Sequence, residues 1–272
     1  VSIKISYKDF KINFNPLTSI MLYDIKKKID EEGFKNPLPD TTFEGFVIPS
    51  IFDERDYIFE NYNKNNSIPL RYSVREDMLE VRDQENTNTC VAQTVSAIKE
   101  YQEYIEDNYK RYFSPSFIYE HRLFKLFDKG MMCKTALHFL YKKGIVEEKL
   151  FPFKSNKKIT EEMYEKAKEN RIKSYARIIT VKGAKQFIHK YGPIMIVLPI
   201  KSYSSKFWKG NLNKGFHAVT VVGWTFTGFI IRNSWGKKWG FDGHSIISYK
   251  DYEKKVHEAW GMIDNKQEGE KK

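Results

Sequence analysis

A change of hydrophobic period divides the chain. Between Cys90 and Lys143 apolar residues recur every three or four positions, whereas past residue 190 they run in short unbroken stretches. The first pattern lays one apolar stripe along a helix, and the second suits strands buried on both faces. Helices that precede strands in this way predict an α+β fold rather than alternating βαβ units. The longest helix is predicted to start at Cys90, with Val91, Val95, Ile98, Tyr101 and Ile105 buried and Lys99, Glu100 and Glu103 left to water. Asn86, Thr87 and Asn88 are its candidate caps. Ser114-Pro115, a capping residue followed by proline at the first helical position, opens a second helix through Tyr119 and Leu123. A third runs from Lys134 to Lys143, with Ala136, Leu137 and Leu140 inward and Gly144 as its stop. Strands are expected over residues 194–198, 217–222, 229–233 and 245–249.

Upstream, alternation from Ile3 to Phe14 around Lys8-Asp9 reads as a hairpin, followed by a helix carrying Leu22, Ile25 and Ile29. Residues 61–67 have no period and form the candidate linker. The expected organisation is an N-terminal extension over residues 1–67, a main domain over 68–263, and a disordered polar tail over 264–272. A length of 272 residues accommodates this, since burial does not limit a domain of that size.

Composition narrows the function. The net charge is +11, but the lysines are spread over the whole sequence, so a nucleic-acid-binding face is not expected. No apolar run approaches about 18 residues, the length that marks a membrane span. Cys90 and Cys133 are the only cysteines, which argues against a disulfide framework, and Lys4, Lys8 and Lys11 interrupt any signal-peptide core. An intracellular setting is expected. Abundant Lys, Asn, Ile, Phe and Tyr fit an AT-rich genome, as in large DNA viruses, protists or low-GC bacteria, and a viral source would add virion or host-cell association.

A thiol in the first turn of a helix sees unpaired backbone N–H groups and the positive end of the helix dipole, which favour the nucleophilic thiolate. Taken singly, a lone cysteine is also a good buried apolar residue. His217 at the start of one strand and Asn233 at the end of another are equally ordinary alone.

In the order Gln84, Cys90, His217, Asn233, with 127 residues from the cysteine to the histidine, these residues resemble the papain-like cysteine proteases. The similarity runs from about Ile68 to Met262. It includes Val81-Arg82-Asp83-Gln84, Gly144-Ile145-Val146 and Phe151-Pro152-Phe153, and its most specific block is Asn233-Ser234-Trp235-Gly236-Lys237-Lys238-Trp239-Gly240. The resemblance implies a two-lobed fold, with a helical N-terminal lobe and an antiparallel β-rich C-terminal lobe. It also implies an endopeptidase acting on polypeptides without metal or organic cofactor. Cys90 would be the nucleophile and His217 the general base and acid. Asn233 would orient the imidazole beneath Trp235, and Gln84 would share the oxyanion hole with the Cys90 amide. Gly130 and Met131 would form the edge along which a substrate pairs, with Met131 crowding it. Met132, Cys133, Gly215 and Ala218 would wall an apolar pocket for the second residue upstream of the cut, and Phe216 would flank it.

Several positions depart from the family pattern. Val91 replaces the tryptophan after the nucleophile, Thr87 replaces a disulfide cysteine, and Glu85 and Asn88 replace glycines, which leaves the rigidity of that loop open. The first 67 residues lack the long helical propeptide signature. They read as an inhibitory segment, a permanent cap or an interaction module. The competing readings are a catalytically silent scaffold on the same fold, a zymogen held inactive by residues 1–67, and a transglutaminase or deubiquitinase on a related framework.

Overall fold

The computed structural model describes residues 4–7, 10–13, 47–50, 53–62, 67–123, 130–199 and 215–264. The chain forms two compact units, residues 1–41 and 42–272. In the first, β1 (Lys4–Tyr7) and β2 (Phe10–Asn13) pair antiparallel with Tyr7 opposite Phe10, the hairpin expected around Lys8-Asp9. The helix expected over residues 22–33 lies outside the described residues.

The second unit contains β3 (Val47–Ile48), the one-turn helix α1 (Phe59–Tyr62) and β4 (Tyr72–Ser73). Then come α2 (Cys90–Asp107), α3 (Pro115–Tyr119), β5 (Met131–Met132) and α4 (Cys133–Lys142). Next are α5 (Glu161–Ala167), β6 (Ile172–Arg177), α6 (Val181–Tyr191) and β7 (Ile194–Pro199). The series ends with β8 (Phe216–Trp224), β9 (Gly228–Arg232), β10 (His244–Ser248), α7 (Tyr249–Lys255) and β11 (Glu258–Asp264). The α+β expectation holds. Residues 47–62 group with the second unit, so the extension read over residues 1–67 is divided between the two.

Strands β10, β9, β8, β7, β11 and β6 lie side by side in that order, antiparallel throughout, and β4 adds to β8. Side chains alternate across a sheet, so neighbouring residues of β8 reach opposite faces. Val222 belongs to a cluster with Ala97 and Tyr101 of α2, while Val219 and Val221 belong to another with Phe187 and Ile188 of α6. Cover on both faces explains why β7 is apolar from Ile194 to Leu198 rather than alternating.

The central helix α2 departs most from the sequence expectation. Lys99, Glu100 and Glu103 are buried, as is every residue from Cys90 to Glu103, whereas Ile105 is exposed. Charges are buried there because each finds a partner. Lys99 Nζ donates to Glu103 Oε1 at 2.7 Å and to Asp264 at the end of β11. Glu100 Oε1 accepts from Arg82 at 2.5 Å and from the Phe113 amide at 3.0 Å. Gln102 Nε2 donates to the Met262 carbonyl at 2.7 Å. Asp264, read as the first residue of a tail, is thus a buried strand residue anchored to the central helix.

The shorter helices follow their sequence signals more closely. Ser114 Oγ accepts from the Phe117 amide with Pro115 at the first position of α3, although α3 ends at Tyr119 rather than Leu123. Gly144 stops α4 at φ +81°, where a Cβ would lie 1.8 Å from the Ala167 carbonyl oxygen.

Candidate active site

Cys90 is the first residue of α2. Thr89 stands at the cap position without a side-chain capping bond, and its hydroxyl is hydrogen-bonded to that of Thr87 at 2.7 Å. The cap position thus falls to Thr89, one residue past the candidates Asn86, Thr87 and Asn88. The amide N–H groups of Cys90 and Val91, joined by that of Ala218, instead favour the ionised form of the Cys90 sulfur. Ala218 directly follows His217 in β8, so helix entrance and sheet meet at the thiol.

The imidazole is held from the other side. His217 Nε2 lies 2.7 Å from Asn233 Oδ1, and the same oxygen accepts the Ser234 amide at 2.8 Å. An oxygen receiving two donors fixes the proton on Nε2 and leaves the lone pair on Nδ1. His217 Nδ1 is buried and has no hydrogen-bond partner among the described residues. The Trp235 indole stacks on the imidazole at 4.6 Å and 20°, and Trp239 meets Trp235 edge-on.

The loop before the nucleophile is strapped to the strand end that carries Asn233. Gln84 N–H donates to the Ser234 carbonyl at 2.7 Å, Ser234 Oγ donates to Gln84 Oε1 at 2.7 Å, and Gly236 N–H reaches the Arg82 carbonyl at 3.0 Å. Gln84 Nε2 donates one hydrogen to the Thr87 carbonyl at 2.7 Å, and Thr87 Oγ1 donates back to the Gln84 carbonyl at 2.6 Å. These bonds hold the loop where Thr87 offers no disulfide. Glu85 adopts φ +50°, a left-handed conformation that suits glycine, and is held there by the Asp83 carboxylate and Lys154.

Burial sets the electrostatics. Loss of hydration pushes the Cys90 thiol up to about 12 despite the three amides, and pushes His217 down to about 4 despite Asn233. Burial thus opposes the ionisation that the helix dipole favours. Both groups are fully shielded from water, and that burial favours the neutral form of each.

The chain's own β3 lies against the strands beside this site. Val47 and Ile48 pair in parallel with Met131 and Met132, and β3 also packs against β8. Met131 does not prevent a backbone from pairing along this edge. Ser50 Oγ accepts the Lys134 amide at 3.2 Å, and Ser50 N–H donates to Glu258 Oε1 at 3.1 Å. Farther along, Asp56 pairs with Lys134 and Arg177, Phe59 packs on Phe187, and Glu60 Oε1 receives the amides of Ile179 and Thr180.

Gly130, Met131, Cys133 and Ala218 are buried around this strand; Met132, Gly215, Phe216 and Trp235 are half-buried. On the Trp235 side a cleft of about 590 Å³ stays open, lined by Asp83, Glu85, Lys154 and Lys238. Sequence reasoning missed Val47, Ser50, Arg177 and Glu258, which are far from the recognised motifs in sequence. Among the described residues no group of three His, Cys, Asp or Glu side chains could hold a metal ion, and no helix is long and apolar enough to cross a membrane.

A family model described as papain family cysteine protease matches residues 65–260. An uncharacterized peptidase C1-like protein, L477, of Acanthamoeba polyphaga mimivirus is 29% identical over 199 residues, which are 62% of this chain and 64% of that protein. The chain thus spans less than two thirds of this relative. Among solved structures, xylellain, a cysteine protease from Xylella fastidiosa, superposes with a TM-score of 0.71 at 22% identity, covering 82% of this chain and 97% of that one. Digestive procathepsin L2 from Tenebrio molitor gives 0.67 at 17% identity, over 91% and 90% of the two chains.

Proposed function

Since the chain belongs to the papain family of cysteine proteases, we propose that it is a latent peptidase that cleaves polypeptides through a thioester at Cys90. One observation carries the reading: the bare Nδ1 of His217, its ring fixed by Asn233, lies in the strand whose next amide touches the Cys90 sulfur. Nδ1 takes the thiol proton as sulfur attacks the scissile carbonyl. The Cys90 amide and the second hydrogen of Gln84 Nε2 stabilise the oxyanion. Imidazolium then protonates the leaving amine, and water, deprotonated by the same ring, hydrolyses the thioester.

Latency follows from β3. A substrate that must pair along Gly130–Met131 finds the edge filled, and the dry site holds the pair in its neutral form. Displacing residues 47–50 admits water and substrate together. A permanently closed scaffold is the second reading, favoured by how firmly Asp56, Phe59 and Glu60 attach the following segment.

Peptide hydrolysis separates the two. The full chain and a Val47→Asp variant, which places a charge in the buried strand, are assayed on an unstructured polypeptide. Turnover in the variant that is lost again with His217→Ala supports a latent peptidase. An opened chain that binds peptides without cutting them supports the scaffold.

A further inference from the structure

Resting on the peptidase reading, we propose that Glu258 sets specificity, so that the pocket selects a substrate with arginine or lysine two residues upstream of the cut. The wall read from the sequence (Met132, Cys133, Gly215, Ala218) is apolar, which led to an apolar expectation. Glu258, at the start of β11 and itself only 4% exposed, sets a carboxylate against Cys133 of that wall. Its Oε2 accepts the Trp260 indole N–H at 2.7 Å. Cys133 lies against it: the thiol is hydrogen-bonded to the carboxylate, and burial followed by that negative charge holds the thiol well above its ordinary pKa.

Oε1 shows which way the carboxylate faces. Its hydrogen bond is to the Ser50 amide, which belongs to the covering segment rather than to the pocket. Whatever replaces residues 47–50 therefore meets Glu258 Oε1 with its donor gone. A buried carboxylate deprived of a donor disfavours an apolar guest and favours a cationic one, because the charge-assisted bond forms where water is scarce. Arg177 is the nearby cation with a competing claim. Its guanidinium lies 4.3 Å over the Trp260 ring and donates to Asp56 at 3.2 Å. Asp56 lies beyond the strand that must move, so opening residues 47–50 alone leaves that pair in place.

The test uses the full chain opened by Val47→Asp and reads the rate at which Cys90 is labelled by two peptidyl acyloxymethyl ketones. The probes differ only in carrying arginine or leucine at the second residue upstream of the reactive carbonyl. The arginine probe is expected to react at least tenfold faster. Glu258→Gln should abolish or invert that ratio, and Glu258→Asp should retain part of it. A leucine probe that reacts faster, with a ratio unchanged by Glu258→Gln, overturns the proposal. Should neither peptide probe react while iodoacetamide still labels Cys90, the peptidase reading itself fails, and the assignment of Glu258 falls with it.

Discussion

At the scale of single residues, the site is a contest between desolvation and hydrogen bonding. Three amides favour ionised Cys90 and one carbonyl oxygen favours protonated His217, yet burial outweighs both. This has a stability consequence. His217 and His244 are both pushed from 6.5 down to about 4, chiefly by burial. Between pH 6.5 and about 4 the unfolded chain binds more protons, so stability present above pH 6.5 is lost as pH falls to about 4. Each histidine contributes at most about 3 kcal/mol. Buried Glu100 is shifted upward and acts in the opposite sense, so the check is a difference. The urea midpoint should fall less in His244→Gln than in the unaltered chain between pH 7 and 4, and equal falls would contradict it. Gln84→Ala, measured in the opened chain, should lower kcat by about 10²- to 10³-fold, as expected for one oxyanion donor. A change confined to KM would remove Gln84 from that role. That Cys90, His217 and Asn233 belong to one candidate site was legible from their order and from the Asn233–Gly240 block, and the structure brings His217 and Asn233 within 2.7 Å. Glu258 and Ser50 were not, since a contact spanning 208 residues leaves no local pattern.

Among the elements, α2 shows what periodicity can and cannot tell. Its start at Cys90 and its apolar stripe were readable, but the stripe says nothing of what covers the other faces. Lys99, Glu100 and Glu103 look solvated until Asp264, Arg82 and Arg111 arrive from elsewhere in the chain. Lys99→Met keeps the volume but leaves the Glu103 and Asp264 carboxylates without their ammonium, a loss of about 3–5 kcal/mol for a broken buried pair. Chemical denaturation should register this as a lower midpoint at unchanged slope. A shift below about 1 kcal/mol would show that Lys99 is not bound as described. Strands β6 and β11 escaped notice for a related reason. β6 carries Lys173 and Ser174, and β11 is interrupted by Gly261, where a Cβ would sit 2.2 Å from Phe187 Cζ. A glycine that reads as a strand breaker is there because a ring lies against the backbone.

For the molecule as a whole, residues 47–50 and 53–62 belong to the second unit, where β3 pairs with β5. The attachment is uneven. Asp56, Phe59 and Glu60 hold through ion pairs, aromatic packing and backbone amides, whereas residues 47–50 hold through two strand pairings and the two hydrogen bonds of Ser50. Opening is therefore expected at the cleft end first, with the rest still docked. The most direct measurement is the rate at which iodoacetamide alkylates Cys90 at pH 7, followed by peptide mass analysis in the full chain, in Val47→Asp and in Val47→Asp with His217→Ala. A nucleophile buried as a neutral thiol beneath β3 should react far more slowly than a free thiol in the full chain. It should gain at least tenfold in Val47→Asp and lose that gain without His217. Equal and rapid alkylation in all three chains would contradict both the cover and the imidazole's hold on the sulfur.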